Sequence, residues 1–228
     1  MNSIFNKDLI LLNHLIYFQF KLSPSYILGI YKWGSSLYGT LNENSDLDYV
    51  IVLDDNSKIW NDLENEHYQY ESENLDLHLI SESYYKILLN KCDLMAMECY
   101  FQENPVKKID LNIDFKLKQL RHSISSTSSN SYVKSKKKLT IEENNEINKY
   151  IGVKSLFHSI RIIQLGIGIS KTITKEKEHI FNFDSNVLFN EILEFSENIN
   201  YKWDFIHKKY KPIFNKYSTE FKKLAPKI

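Results

Sequence analysis

The segment from Leu47 to Leu53 constrains the fold more than any other part of this chain. It reads Leu-Asp-Tyr-Val-Ile-Val-Leu, and its β-branched, aromatic and leucine side chains predict a buried β-strand. Two further segments have strand character: Tyr26–Trp33 is β-rich and stops at Gly34-Ser35, and Leu75–Ile80 alternates leucine with other residues. Together, the three segments predict a small β-sheet.

Apolar residues at helical spacing dominate the rest of the chain. A helix is predicted over Ser3–Phe20, ahead of the first strand, and a short one over Lys58–Glu66. The other predicted helices cover Ser83–Phe101 (one or two helices), Phe115–Ile124, Glu142–Lys171, Val187–Glu197 and Trp203–Leu224, the last kinked or divided at Pro212. The expected fold class is therefore α+β, with a small mixed sheet and flanking helices followed by an all-helical C-terminal domain.

A polar stretch separates the predicted sheet from the C-terminal helices. Residues 123–138 contain seven serines and then Lys134, Lys136, Lys137 and Lys138, which is typical of an exposed connection. We therefore expect a first domain over residues 1–122, a linker over 123–138 and a helical substrate-binding or nucleotide-binding domain over 139–228.

Length and composition predict a globular protein inside the cell. The 228 residues are 43% apolar, so the chain can bury a core without a disulfide or a structural metal. Cys92 and Cys99 have no CxxC or Cys/His partner and are expected to be reduced thiols. There is no secretion-signal pattern and no run of about 18 apolar residues, so the expected location is cytoplasmic, without a membrane partner.

Charge is divided unevenly along the chain, although the formal net charge is zero. Residues 1–110 contain 8 Lys and 17 Asp/Glu, whereas residues 111–228 contain 21 Lys/Arg and 12 Asp/Glu. An acidic half suits divalent cations, and a basic half suits polyphosphate or an RNA backbone. Two ordinarily solvated surfaces would give the same counts.

Asp46 and Asp48 mark the entry to the central predicted strand. Residues i and i+2 of a strand project from the same face about 7 Å apart, within reach of a shared metal ion. Without a cation the two carboxylates would repel each other and would be costly to desolvate beside a core strand. The alternative is that both residues only cap an exposed turn.

Asp76 lies inside the alternating run Leu-Asp-Leu-His-Leu, whose leucines face one way while Asp76 and His78 face the other. If this strand pairs with the central strand, Asp76 joins Asp46 and Asp48 in a three-carboxylate site. Such oxygen-rich sites suit Mg²⁺ or Mn²⁺, and two ions about 4 Å apart can stabilise the attacking and leaving oxygens of phosphoryl transfer. His78 is expected beside the site rather than as a ligand.

The turn Gly34-Ser35 comes at the end of the first predicted strand. Glycine lets the backbone approach a phosphate, serine adds a hydroxyl, and a helix beginning at Ser36 would direct its N–H groups at the anion. This turn is a candidate phosphate cradle, although ordinary turns have the same composition.

A stripe of three basic residues lies on one predicted helix of the C-terminal half. Spacings of four and three place Lys154, His158 and Arg161 on one side of that helix. Such a stripe suits a clamp for the triphosphate of a nucleotide. The alternative is the solvated face of an amphipathic helix.

The combined motifs resemble the nucleotidyltransferases of the DNA polymerase β-like superfamily, with the likeness covering about residues 26–80. The shared pattern is Gly-Ser, three residues, Gly, then Ser-Asp-x-Asp at a strand and a third acid on a later strand. The resemblance implies that Asp46 and Asp48 bind two metal ions, and that Asp76 holds one and helps to deprotonate the acceptor hydroxyl. It also implies that Gly34 and Ser35 hold the terminal phosphates of a nucleoside triphosphate (NTP), whose monophosphate (NMP) is transferred with release of pyrophosphate.

Within that superfamily the chain is similar to predicted bacterial and phage nucleotidyltransferases of an RNA-repair branch. The likeness rests on Tyr132-Val-Lys134 and on the Lys-x3-His-x2-Arg stripe. It implies RNA or tRNA as the acceptor. The glycine pair Gly166 and Gly168, the serine-rich stretch and the short connection after the helix depart from the branch.

Three functions are therefore open at this stage. The first is transfer of NMP to RNA or another nucleic acid. The second is modification of a protein hydroxyl or a small molecule, as in toxin–antitoxin systems and aminoglycoside resistance. The third is a non-catalytic nucleotide-binding module, which would predict the loss of at least one acid, whereas all three are present.

Overall fold

The computed structural model describes residues 17, 20–41, 45–62, 65–72, 74–141, 145–174 and 186–226. It divides into two compact units, Met1–Asp114 and Phe115–Ile228. The first contains the sheet, and the described part of the second is helical, which confirms the predicted α+β class. The helix predicted over Ser3–Phe20 lies almost entirely outside the described residues.

The first unit contains a mixed four-stranded sheet in the order β1-β2-β4-β3. Its strands are β1 (Ile27–Trp33), β2 (Leu47–Leu53), β3 (His67–Ser72) and β4 (Leu75–Ser81). β1 pairs with β2 and β3 with β4 in antiparallel fashion, whereas β2 and β4 are parallel. The three predicted strands are confirmed, and β3 is an addition that the sequence patterns had not indicated.

Helices flank these strands in the first unit. They are α1 (Gly34–Tyr38), α2 (Ile59–Asp62), α3 (Glu82–Asn90) and α4 (Leu94–Tyr100), with a 3₁₀ turn at Pro24–Tyr26. α2 covers residues 59–62 of the helix predicted over residues 58–66; residues 63 and 64 lie outside the described residues, and residues 65 and 66 form a bend before β3. The predicted region 83–101 forms two helices, each with a side chain that caps its N-terminus.

The two faces of the sheet differ in what covers them. One face buries Tyr49, Ile51, Leu77 and Leu79 in an apolar cluster. The other face packs against α3 and α4, where the ring of Tyr31 stacks on that of Tyr85 at 6.2 Å. Because side chains alternate along a strand, the acids of β2 and β4 belong to this second face.

The second unit is built around one long helix. Its elements are α5 (Leu117–Leu139), α6 (Glu146–Ile173), α7 (Asn186–Asn198) and α8 (Trp203–Leu224). α6 contacts the other three helices and is buried on nearly all sides between Gly152 and Ser170. Pro212 lies inside α8 without dividing it. None of the helices in the described ranges is both long enough and apolar enough to span a bilayer.

The prediction of an exposed linker over residues 123–138 is wrong in its secondary structure, since α5 is helical throughout. The buried residues of α5 recur every three or four positions: Leu120, Ile124, Ser128, Tyr132, Ser135 and Leu139. Serine has a modest helix propensity, but it is small enough to let α5 lie close to α6, and Ser128 Oγ donates to the carbonyl of Ser159 at 2.8 Å. Tertiary packing therefore outweighs a composition typical of loops.

Two glycines of α6 permit this close approach. A Cβ on Gly152 would lie 2.5 Å from Cγ of Leu139, and a Cβ on Gly166 would lie 2.7 Å from Cγ2 of Ile124. Both distances are shorter than a normal contact between carbon atoms. The packing of α5 on α6 therefore depends on glycine at these two positions.

Candidate active site

Strand pairing brings two of the predicted acids side by side. In the parallel pair β2–β4, Asp48 is the register partner of Asp76, and across β1 it is the partner of Trp33. Neighbouring strands lie about 4.8 Å apart, and register partners project from the same face. The predicted pairing of these strands is thus confirmed. Asp46 is exposed and lies two residues earlier, just before β2 begins.

Polar side chains of β3 and β4 hold Asp76 in place. Gln69 Nε2 donates to both carboxylate oxygens of Asp76, at 3.0 and 3.1 Å, and to Oε1 of Glu71 at 2.8 Å. Nε2 of His78 lies 3.6 Å from Asp76 Oδ1 and has no hydrogen-bond partner among the residues that the structure describes. The other ring nitrogen of His78 is 2.9 Å from Nε2 of His67, whose pKa is lowered first by burial and then by the adjacent His78.

The Gly-Ser turn lies directly against Asp48. Gly34 has φ +60°, and a Cβ at this position would lie 1.9 Å from Asp48 Oδ2. Only glycine combines this left-handed backbone with such a close approach. Ser36 Oγ donates to the carbonyl of Trp33 at 2.6 Å and fixes the turn, while Ser35 is 8% exposed. The turn, Asp48 and its register partner Asp76 therefore lie together.

A buried glutamate anchors this turn, and the sequence patterns had not indicated it. Glu98 of α4 is fully buried, and its Oε2 accepts a hydrogen bond from Nε1 of Trp33 at 2.8 Å and another from the hydroxyl of Tyr38. These donors lie on either side of the Gly-Ser turn. The available signal was a lone acid inside the apolar run Met-Ala-Met-Glu-Cys-Tyr.

The donor set at this edge of the sheet fits a hard divalent cation. Within the described ranges, no three His, Cys, Asp or Glu side chains form a ready-made metal site. Asp48 and Asp76 are nevertheless register partners, and the missing Cβ of Gly34 lets the Asp48 carboxylate lie directly against the backbone of the turn. Carboxylate oxygens are ligands that Mg²⁺ and Mn²⁺ prefer. Bare carboxylates repel each other, so we expect the acids to draw together only around a cation.

The three basic residues predicted in the C-terminal half also form a cluster, within the second unit. Arg161 is only 5% exposed, and its Nε donates to Nδ1 of His158 at 3.4 Å. The pKa of His158 is well below its usual value, first because of burial and then because of the charges of Arg161, Lys154 and Lys134. A merely solvated face does not fit a buried arginine. Lys134, from the predicted Tyr-x-Lys segment, joins the cluster from α5.

The predicted site residues thus fall into two groups, one in each unit; in the first, Gly34, Asp48 and Asp76 lie together, whereas Asp46 is exposed just before β2. The first group comprises Gly34, Ser35, Asp46, Asp48 and Asp76, and the second comprises Lys154, His158 and Arg161. The structure adds Glu98, Gln69 and Trp33 to the first group and Lys134 to the second.

Comparison with known proteins places the chain in a family. No curated protein matches it. Among solved structures it is similar to a nucleotidyltransferase-like protein from Exiguobacterium sibiricum 255-15, at 12% identity over 93% of this chain and 73% of that one. The TM-score of 0.29 is too low for that likeness to carry any argument. The family model described as "Nucleotidyltransferase domain" matches residues 16–224, nearly the whole chain. The protein therefore belongs to the nucleotidyltransferase domain family, whose general reaction is the transfer of a nucleoside monophosphate.

Proposed function

We propose that this chain is a metal-dependent transferase that moves NMP from an NTP to a hydroxyl of RNA, including tRNA, or of another nucleic acid, with release of pyrophosphate. The single observation that carries the proposal is the register pairing of Asp48 with Asp76 beside Gly34. An RNA-repair role in the cytoplasm belongs to the same proposal.

The acids of the first unit have distinct proposed roles. Asp46 and Asp48 would hold two Mg²⁺ or Mn²⁺ ions, and Asp76 would share one of them. When bound, such ions neutralise phosphate charge and favour ionisation of the attacking hydroxyl. Asp76 would accept the proton of that hydroxyl, and the amide of Gln69, which donates to both of its oxygens, orients it for this transfer.

The Gly-Ser turn would bind the terminal phosphates of the NTP. Without a Cβ, Gly34 lets a phosphate oxygen approach the backbone next to Asp48. Ser35 would add its hydroxyl as a hydrogen-bond donor. The hydrogen bonds from Trp33 and Tyr38 to Glu98 fix the residues on either side of the turn, so the turn would be ordered before substrate arrives.

The cluster in the second unit is proposed to bind NTP phosphates as well. Lys154 and Arg161 supply positive charge, and the lowered pKa of His158 keeps that ring neutral at pH 7. A bound phosphate would offset the neighbouring cations, so it would raise the pKa of His158 relative to the unbound protein.

The test is to follow the label from each α-labelled NTP when purified protein, Mg²⁺ or Mn²⁺ and total RNA are mixed. We expect labelled RNA, and we expect Asp48→Asn or Asp46→Asn to reduce labelling by at least about 100-fold, because each removes a ligand of the catalytic metal ions. Asp110→Asn is the matched control, since it removes an exposed acid of the same unit outside the site. Label on a protein or a small molecule would show that RNA is the wrong acceptor. The absence of label on any acceptor would indicate a non-catalytic module.

A further inference from the structure

A basic cavity lies in the second unit, between α5 and α8, and its lining includes none of Lys134, Lys154, His158 and Arg161. Its volume is about 600 Å³, within the range of ligand pockets. Its lining consists of Lys118, Arg121, His122, Ser125, Ser126, Ser129, Asn130 and Lys222. A smaller cavity of about 230 Å³ shares Ser125, Ser129 and Lys222 with it, so the two form one groove. We call this feature the α5–α8 groove.

The groove carries positive charge, and the described residues of its lining include no Asp or Glu. Over its 23 residues, α5 has six Lys/Arg and no Asp or Glu. Lys118 and Lys222 are exposed at the groove, so their ammonium groups are available to an anion. A lining of this kind attracts phosphate groups, and it has no negative charge that would repel them.

The walls of the groove are held at a fixed spacing. Arg121 Nη1 donates to the carbonyls of Lys222 at 3.1 Å and Ala225 at 2.8 Å, which ties the end of α8 to the beginning of α5. Ser128 donates to the carbonyl of Ser159 and ties the middle of α5 to α6. The groove is therefore preformed, which reduces the entropic cost of binding.

The side of α5 that carries Lys118 and Lys136 is much longer than a single nucleotide. Lys136 follows Lys118 by 18 residues, which is five full turns, so both lie on the same side of the helix about 27 Å apart. Ser125 and Ser129 lie between them on that side. A chain of phosphates matches this extent, whereas one free nucleotide fills only the cavity.

The remaining lining distinguishes among polyanions. Serine hydroxyls and the amide of Asn130 both donate and accept hydrogen bonds, as the ribose 2′-hydroxyl does. A membrane surface would instead favour apolar side chains that project beside the cations. The apolar residues Ile163, Phe214 and Phe221 line only the smaller cavity.

We propose that the α5–α8 groove binds the sugar-phosphate backbone of a single RNA strand. Lys118 and Lys222 contact phosphates, and the serines and Asn130 contact ribose. The groove is thus a site for the acceptor strand. In this role it rests on the proposed transfer of NMP to RNA.

The first test measures binding of a short labelled single-stranded RNA by fluorescence anisotropy, without NTP or divalent metal, from about 50 to 200 mM salt. We expect the pair Lys118→Gln and Lys222→Gln to weaken binding roughly tenfold at low salt and to reduce the salt slope by about 1.4, or about 0.7 for each phosphate that no longer meets a lysine. The matched control is Lys137→Gln with Lys216→Gln, which removes the same charge from exposed positions of the same two helices. Equal weakening by both pairs would overturn the groove as the site.

The second test blocks the groove without changing its charge, and it uses one blocking variant and one control. Ser126→Trp adds bulk at an exposed lining position, whereas Gln119→Trp adds it at an exposed position of α5 outside the lining. We expect only Ser126→Trp to weaken RNA binding. Thermal unfolding of each variant checks that the fold is kept. Unchanged binding by a folded Ser126→Trp protein would contradict the proposal.

Two further measurements distinguish RNA binding by the groove from membrane binding, and test the groove independently of the proposed transferase activity. Binding to vesicles containing phosphatidylserine but not to RNA would overturn the groove as an RNA site. If the groove variants still transfer NMP to RNA as the wild type does, the groove is wrong and the transferase stands. If RNA binds through the groove but no NMP is transferred, the groove stands and the transferase fails.

Discussion

At the scale of single residues, Gly34 is the position where the backbone of the turn lies directly against the Asp48 carboxylate. Its φ of +60° strains any residue with a Cβ, and that Cβ would displace the Asp48 carboxylate. We expect Gly34→Ala to cost about 1–2 kcal/mol of unfolding free energy. We also expect it to reduce NMP transfer by about 100-fold or more, because a displaced carboxylate no longer stabilises the transferred phosphate. Urea unfolding and the labelled-NTP assay measure the two effects.

Gly39→Ala is the matched control for this change. Gly39 also has a left-handed backbone, with φ +68°, but it is exposed at the end of α1. Its replacement should cost similar stability and leave most of the transfer activity intact. If both variants lose activity in proportion to stability, the close approach of Gly34 to Asp48 has no catalytic meaning.

The residues that form the site differ in how well the sequence could indicate them. The shared face of Asp48 and Asp76 was predictable because strand alternation fixes which side chains project from the same face of a sheet. Glu98 was not, because its bond to Trp33 joins residues 65 positions apart, and only the packing of α4 on β1 brings them together. The same holds for Gln69, which acts from a strand that the patterns had not indicated.

At the scale of elements, strands followed their patterns more closely than helices did. β2 and β4 occupy the predicted segments because a short buried run of β-branched residues, and an alternating run, each favour a strand. β3 escaped prediction because it is an edge strand in which no residue is fully buried. Its alternating Tyr68 and Tyr70, which pack against the core, were the signal available.

α5 shows how packing can override composition. Its serines indicated a loop, yet the buried positions recur with the spacing of a helix face. That face packs against α6, where Gly152 and Gly166 allow the two helices to approach closely. The sequence of α5 alone does not show that partner, so the error could be corrected only from the tertiary structure.

Gly166 provides the test of this packing. Alanine is favoured over glycine in helices by about 1 kcal/mol, but a Cβ here would lie 2.7 Å from Ile124 Cγ2 and 3.0 Å from Phe221 Cε2. Overpacking costs about 1–3 kcal/mol, so we expect Gly166→Ala to lower the unfolding free energy by about 1 kcal/mol net. Urea unfolding measures it, with Gln164→Ala of the same helix as a nearly neutral control. A stabilised Gly166→Ala protein would show that α5 and α6 are not so closely packed.

At the scale of the whole molecule, opposite charges belong to different compact units. The sheet-bearing unit carries the carboxylates, and the helical unit carries the cationic cluster and the α5–α8 groove. The charge counts had indicated this division before any fold was considered. They could not locate either site within its half, because that depends on strand register and helix packing.

We propose that Asp48 and Asp76 hold a divalent cation for nucleotidyl transfer. The most direct measurement is a Mn²⁺ titration followed by electron paramagnetic resonance, without NTP, for the wild type, Asp48→Asn, Asp76→Asn and the control Asp110→Asn. We expect the wild type and the control to bind the ion alike, and each site variant to bind it at least about tenfold more weakly, because a charged ligand is removed. Equal binding of Mn²⁺ by all four proteins would contradict the claim.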